Sequence, residues 1–188
     1  MKTTIRLLAS GIVLAALTGC ASLVAPPYST DYEALERLKK PSLEKLAVGK
    51  FQPTDSAAPV NRVTLRGTRL NSPSGSFPKY LEDALISDLR DVSLYDSNSQ
   101  LRIDALVLKN DIDISGVSVG TGVMEVEIAI ERSGKPRLKK VYKTDIQFDS
   151  SFAGAVAIPK GQTSYGALVR TLLAQVYSDT EFINAISK

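Results

Sequence analysis

The chain has 188 residues, 44% hydrophobic and 23% charged, with one Cys and neither His nor Trp. Without His there is no Ser-His-Asp or Cys-His catalysis and no His-based zinc or iron site, and one Cys permits neither an intrachain disulfide nor a multi-thiolate metal site. The formal charge is only +3, so nothing global points to nucleic acid as a partner, and the length suits one ordinary domain.

The first twenty residues read MKTTIRLLASGIVLAALTGC. Lys2 and Arg6 precede an apolar run from Leu7 to Leu17, broken only by Ser10 and Gly11. That run is too short to span a bilayer, which takes about 20 apolar residues. A basic start, a short apolar core and small residues before a cut are the marks of a secretory signal peptide. Leu17-Thr18-Gly19-Cys20 resembles the lipobox of bacterial lipoproteins. The resemblance implies a signal peptide over residues 1–19, cleavage between Gly19 and Cys20, and a diacylglycerol on the Cys20 thiol. A third acyl chain, palmitate for example, joins the new amino group in that class. One chain anchors marginally, whereas two or three hold stably. Ala21 and Ser22, with no Asp after the cysteine, imply delivery to the outer membrane, facing the periplasm. Loss of Lys2 and Arg6 lowers the formal charge from +3 to +1.

Residues 20–43 are expected as lipid anchor and tether. Pro26-Pro27 favours an extended chain. Asp31 can cap a short helix that ends before Pro41, with Leu35 and Leu38 as a thin apolar stripe. As a coil this segment would span about 25–30 Å.

A single domain is expected over 44–188. Leu46, Val48 and Phe51 mark a first strand near 44–52. Val63 to Gly67 is a weaker strand candidate, and Asn71 to Ser76 a loop. Phe77 to Val92 is the clearest helix: Ser76 caps it, Pro78 sits in its first turn, and Leu81, Ala84, Leu85, Leu89 and Val92 recur every three or four residues. Leu101, Ile103, Ala105 and Val107 alternate, then the pattern slips to Leu108, Asn110, Ile112 and Ile114. The slip implies a β-bulge near Val107–Lys109. Met124 to Ile130 and Leu138 to Phe148 read as an antiparallel hairpin around Ser133-Gly134-Lys135-Pro136. Charge pairing favours a register in which Glu131 faces Lys139, Glu127 faces Lys143, Ile128 faces Tyr142 and Met124 faces Ile146.

The small, apolar stretch from Ser150 to Pro159 connects this hairpin to the last helices. Thr163 or Ser164 opens one helix, with Leu168, Val169, Leu172, Leu173 and Val176 on its apolar face. Ser178-Asp179-Thr180-Glu181 has the spacing of a capping box and opens a second, shorter one. The order predicts an α+β fold: a two-layer sandwich, a mostly antiparallel sheet with two main helices packed on one face.

This order behind a lipobox resembles small periplasmic lipoproteins of the YajG type. More distantly it is similar to LptE-like and ABC-transport auxiliary lipoproteins. The resemblance covers roughly residues 77–188, through Phe77-Pro-Lys-Tyr-Leu-Glu-Asp-Ala-Leu, the Gln100–Ile114 strand, Tyr142–Phe152 with Phe152-Ala-Gly-Ala-Val, and the Asp179–Ile186 end. The YajG type carries no activity to transfer. The LptE-like group assists lipopolysaccharide insertion, but its aromatic-rich mature start is absent from Ala21-Ser22-Leu23-Val24. The Trp associated with the auxiliary lipoproteins is absent too.

Four local patterns are weighed for function. Asp111-Ile112-Asp113-Ile114-Ser115-Gly116 begins like a calcium loop, but the twelfth position is Gly122 where a bidentate Glu is required. Gly116, Gly120 and Gly122 lack both dinucleotide and phosphate-loop spacing. Lys135, Arg137 and Lys140 are candidate contacts to anionic lipid headgroups, each worth up to about 1 kcal/mol near such a surface. Phe152, Ala153, Gly154, Val156 and Ile158 form a candidate interaction surface. The expectation is a non-catalytic accessory or scaffold of an envelope complex, held to the membrane by its acyl anchor. It takes no cofactor beyond the lipid on Cys20, has an envelope protein as partner and binds no metal. The alternative is a protein that binds or helps transport lipid or lipopolysaccharide.

Overall fold

The computed structural model describes residues 22–188; Gly19, Cys20 and the signal peptide lie outside the described residues. The chain forms β1 (Leu23–Val24), α1 (Tyr32–Leu35), β2 (Ala47–Gln52), β3 (Thr64–Leu65), β4 (Thr68–Asn71), α2 (Phe77–Asp91), β5 (Leu101–Asp113), β6 (Val119–Arg132), β7 (Lys135–Asp149), α3 (Gly154–Ser178) and α4 (Thr180–Ala185). The main sheet has the order β2-β5-β6-β7. Its three long strands are antiparallel and β2 joins β5 in parallel. A second, small sheet has the order β1-β4-β3. This is the α+β sandwich the sequence predicts.

The core lies between the main sheet and α2 and α3. Ile103, Val126, Ile128 and Ile130 from the sheet meet Leu85, Leu89, Leu168, Val169, Leu172 and Val176 from the helices, all buried. The opposite sheet face is open and carries charge pairs, with Lys143 on Glu125 at 3.3 Å and Lys139 on Glu127 at 3.2 Å. One face packed and one wet is the usual economy of an antiparallel sheet.

Several sequence expectations hold at residue level. The Ser76 hydroxyl accepts from the Lys79 amide at 3.2 Å, and Pro78 lies in the first turn of α2. The β5–β6 register shifts between Val107 and Lys109, where the apolar alternation slips. The side chain of Asp31 accepts from the Ala34 amide at 3.0 Å.

The hairpin register differs from expectation by two residues. Val126 faces Tyr142 and Glu125 faces Lys143. The cause is the turn: Ser133 and Gly134 both adopt positive φ, at 48° and 79°, which makes a two-residue type I′ turn with Arg132 opposite Lys135. A bulge between Ile130 and Glu131 then sets the register of the remaining strand. A two-residue shift keeps every side chain on its own face. It also replaces the one repulsive pair of the expected register, Glu125 with Asp145, by an attractive one.

Helix α3 begins at Gly154 instead of at 163 or 164. The hydroxyls of Thr163 and Ser164 do not cap it; they donate back to carbonyls of the preceding turn, Ser164 to Lys160 at 2.7 Å. Position 161 must be Gly: a Cβ there would sit 2.7 Å from Ile114 Cγ2 and 3.1 Å from Leu65 Cδ2. α3 thereby lies close against the end of β5. The cap of α4 is Asp179, one residue after the expected Ser178, and accepts from the Glu181 amide at 3.1 Å. Of Gly116, Gly120 and Gly122, the last two lie within β6, where Phe148, Ile112 and Ile146 fill the space a Cβ would take.

The largest departure concerns the expected tether. Residues 22–43 are packed into the domain, with Ala25, Ala34, Leu35, Leu38 and Leu43 buried in the same core. Beyond the short stripe of Leu35 and Leu38 the segment gives no periodic signal, yet all five apolar side chains join the core.

Candidate functional site

The N-terminal segment runs beside α3 and keeps step with it. The carbonyl of Val24 accepts from Gln162 Nε2 at 2.7 Å. Pro26 lies against Gly166, and its carbonyl accepts from the Tyr80 hydroxyl at 2.9 Å. Tyr28 reaches Asp88, which also receives Tyr177 from the last turns of α3. Burial pushes the Tyr80 hydroxyl up to about 12, so it stays a donor at every physiological pH.

Asp88 is the one buried carboxylate among the described residues. Its Oδ2 accepts from Tyr28 and Tyr177, each at 2.8 Å, while Oδ1 has no partner. Burial raises its pKa above the ordinary value, and the hydroxyls that donate to it act the other way. The arrangement ties the N-terminal segment to both main helices. The tyrosines that donate to Asp88 are themselves pushed upward, by burial first and by its charge next.

At the other end of α3 lies the candidate interaction surface. The β3–β4 turn places Arg66 and Gly67 at positive φ, 49° and 84°, as a two-residue type I′ turn requires. The Arg66 guanidinium donates to the carbonyls of Phe152 at 2.6 Å, Ser151 at 3.0 Å and Ile114 at 3.2 Å. It thus pins three chain segments together. The Ser150 amide donates to the Ser118 carbonyl at 2.8 Å, which brings the β5–β6 turn alongside. Phe152 is 77% exposed and Val117 72%; Val156 is also exposed, while Gly154 and Ile158 are half-buried. Phe152 and Ala153 precede α3, and Gly154, Val156 and Ile158 form its first turns instead of a free connection.

The basic hairpin residues are placed differently from the expected headgroup contacts. Lys140 is engaged by two carboxylates, Asp179 at 2.9 Å and Glu181 at 2.7 Å. Arg137 donates to the Ser187 carbonyl at 3.2 Å, and Lys135 stands exposed beside the turn. Asp179 also accepts from the Tyr142 hydroxyl at 2.6 Å. Burial alone would raise its pKa, but Tyr142, Lys140 and the Glu181 amide outweigh that and hold the carboxyl below its ordinary value. Lys140, Tyr142 and Asp179 therefore join α4 to the edge strand β7.

Asp111 and Asp113, read as the start of a calcium loop, lie in β5, and Asp113 accepts from the Ser115 amide at 2.7 Å. Among the described residues no group of three His, Cys, Asp or Glu gathers to hold a metal ion. No helix among them is long and apolar enough to cross a membrane.

No protein-family model and no curated protein matches the sequence. The chain shares its fold with protein XCC0632 from Xanthomonas campestris (DUF330), at a TM-score of 0.54 and 15% identity over 86% of this chain and 91% of that one. A candidate lipoprotein from Caulobacter crescentus aligns at a TM-score of 0.46 and 11% identity, over 79% of this chain and 93% of that one. The hypothetical protein CT253 from Chlamydia trachomatis aligns at 0.45 and 10% identity, over 75% and 97%. At these identities the likeness is one of fold.

Proposed function

We propose that the protein is a lipid-anchored lipoprotein of the bacterial outer membrane, facing the periplasm, and a non-catalytic accessory or scaffold of an envelope complex. The observation that carries this reading is Leu17-Thr18-Gly19-Cys20 behind a basic, apolar leader, followed within two residues by the start of the folded domain. Acylation at Cys20 would supply the membrane attachment that the described helices do not. Asp88 supports the non-catalytic part: the one buried carboxylate among the described residues accepts from two tyrosines, one of which fastens the N-terminal segment. The lipid-binding alternative is less favoured, because the space between sheet and helices is filled by Val126, Ile128, Leu168 and Leu172.

The test is labelling with a palmitate analogue in the host, with fractionation and a rescue assay. The wild-type chain should take up label, lose residues 1–19 by mass and fractionate with the outer membrane. Cys20→Ala should be unlabelled, leave the outer-membrane fraction and fail to rescue the deletion. Full rescue by an unacylated Cys20→Ala chain would sink the reading.

A further inference from the structure

The lipoprotein reading fixes a point on the membrane, and the structure shows how little chain separates that point from the domain. Ser22 is the first described residue and Leu23 is already in a strand. Consecutive Cα atoms are 3.8 Å apart, so Cys20 lies within about 8 Å of Ser22 whatever path the chain takes. A bilayer that holds acyl chains on Cys20 must therefore come up to the domain itself.

The course of the N-terminal segment says which end of the domain that is. Val24 lies by Gln162, Pro26 by Gly166, and Tyr28 by Asp88 and Tyr177. Moving back along the chain moves toward the first turns of α3. β1 runs parallel to β4, with Leu23 opposite Leu70, and β4 starts from the Arg66-Gly67 turn. Both neighbours lead to the end where Arg66 gathers Ile114, Ser151 and Phe152.

That end carries the most exposed apolar side chains of the described residues, Phe152 and Val117, with Val156 one turn into α3. Asp113 and Asp149 stand exposed near the same rim and the Arg66 guanidinium there is taken up by three carbonyls, so we base the contact on apolar insertion and not on attraction to anionic headgroups. We infer that Val117, Phe152 and Val156 enter the boundary between headgroups and acyl chains beside the Cys20 anchor, so that the domain is seated on the bilayer with α3 pointing away from it. The inference rests on the lipoprotein reading and adds to it the face, the residues and the occupant: the phospholipid surface.

The chain has no Trp, so a single introduced Trp reports its own surroundings. The experiment uses the acylated full-length product, purified from membranes and reconstituted into phosphatidylcholine vesicles with or without brominated acyl chains. Phe152→Trp and Val117→Trp should show a blue-shifted emission that the brominated lipid quenches. Tyr32→Trp, exposed four residues beyond Tyr28, which shares Asp88 with Tyr177 from the last turns of α3, and Leu106→Trp, on the open sheet face, should not be quenched. All four positions are exposed, and thermal melts check that each variant is folded. An acylated protein whose Phe152→Trp signal matches that of Tyr32→Trp overturns the inference and leaves this surface to a protein partner. If mass spectrometry finds no acyl group on Cys20, the lipoprotein reading falls. The same chain is then coupled through its single thiol to a maleimide lipid, and the quenching pattern still decides whether this face seats on lipid.

Discussion

At the scale of single residues, two carboxylates carry opposite pH signatures. Asp88 is buried with its pKa raised above 3.8. A raised carboxylate binds its proton more tightly folded than unfolded, so its contribution to stability falls as pH rises from the ordinary value through the raised one. Asp88→Asn removes the charge and keeps an acceptor for Tyr28 and Tyr177. The expected outcome in denaturant titrations is that wild type loses stability relative to Asp88→Asn between pH 3.8 and neutrality. A flat difference across that range would refute the assignment. Asp88→Ala leaves the buried Tyr177 hydroxyl without an acceptor and should cost about 1–3 kcal/mol. The spacing of α2 already sets Asp88 on the apolar face, four residues after Ala84 and three after Leu85; only the fold shows its partner Tyr28, sixty positions away. Cys20 lies outside the described residues, and its reading rests on the residues around it alone.

At the scale of elements, legibility follows the length of the periodic run. α2 and the three long strands repeat their apolar positions often enough that type, facing and even the bulge at Val107–Lys109 can be read. The hairpin register could not, because a shift of two residues leaves every side chain on the same face, so alternation does not separate the two registers and the Ser133-Gly134 turn decides between them. The start of α3 was hidden by Pro159, which argues for a loop although α3 accommodates it in its second turn. The junction of α4 with β7 supplies a test of this level. Asp179 caps α4 and accepts from Tyr142 while it pairs with Lys140. Asp179→Ala removes all three interactions and should destabilise the domain by about 1–3 kcal/mol in urea unfolding. Asp179 has a lowered pKa, so its contribution is present above the ordinary carboxylate value and is lost as pH falls through the lowered one. The penalty of Asp179→Ala should therefore shrink in acid; an undiminished penalty would assign it to helix capping geometry alone.

At the scale of the whole molecule, the N-terminal segment decides what kind of device this is. A free tether of twenty-odd residues would let the domain search a radius of about 25–30 Å. The packed segment removes that freedom, and under the proposed lipoprotein reading α3, about 37 Å long at 1.5 Å per residue, sets how far from the membrane the far end of the domain can act. The sequence hides this because the only periodic signal, the stripe of Leu35 and Leu38, is two residues long, while Ala25, Ala34 and Leu43 sit among prolines and charges. Their burial is nonetheless substantial: a fully buried Leu contributes about 1.5–3 kcal/mol, against a total of about 5–15 kcal/mol for a typical domain. Leu35 and Leu38 are both 1% exposed. Leu35→Ala should therefore lower stability by about 2–5 kcal/mol, as large-to-small core changes do. A chain that begins at residue 41 should lose its cooperative melting transition, because α3 would keep an uncovered apolar face. A true tether predicts the contrary on both counts: an unchanged urea midpoint for Leu35→Ala and an intact transition for the shortened chain. Calorimetry on the two proteins separates an N-terminal segment that is part of the domain core from one that is a free tether.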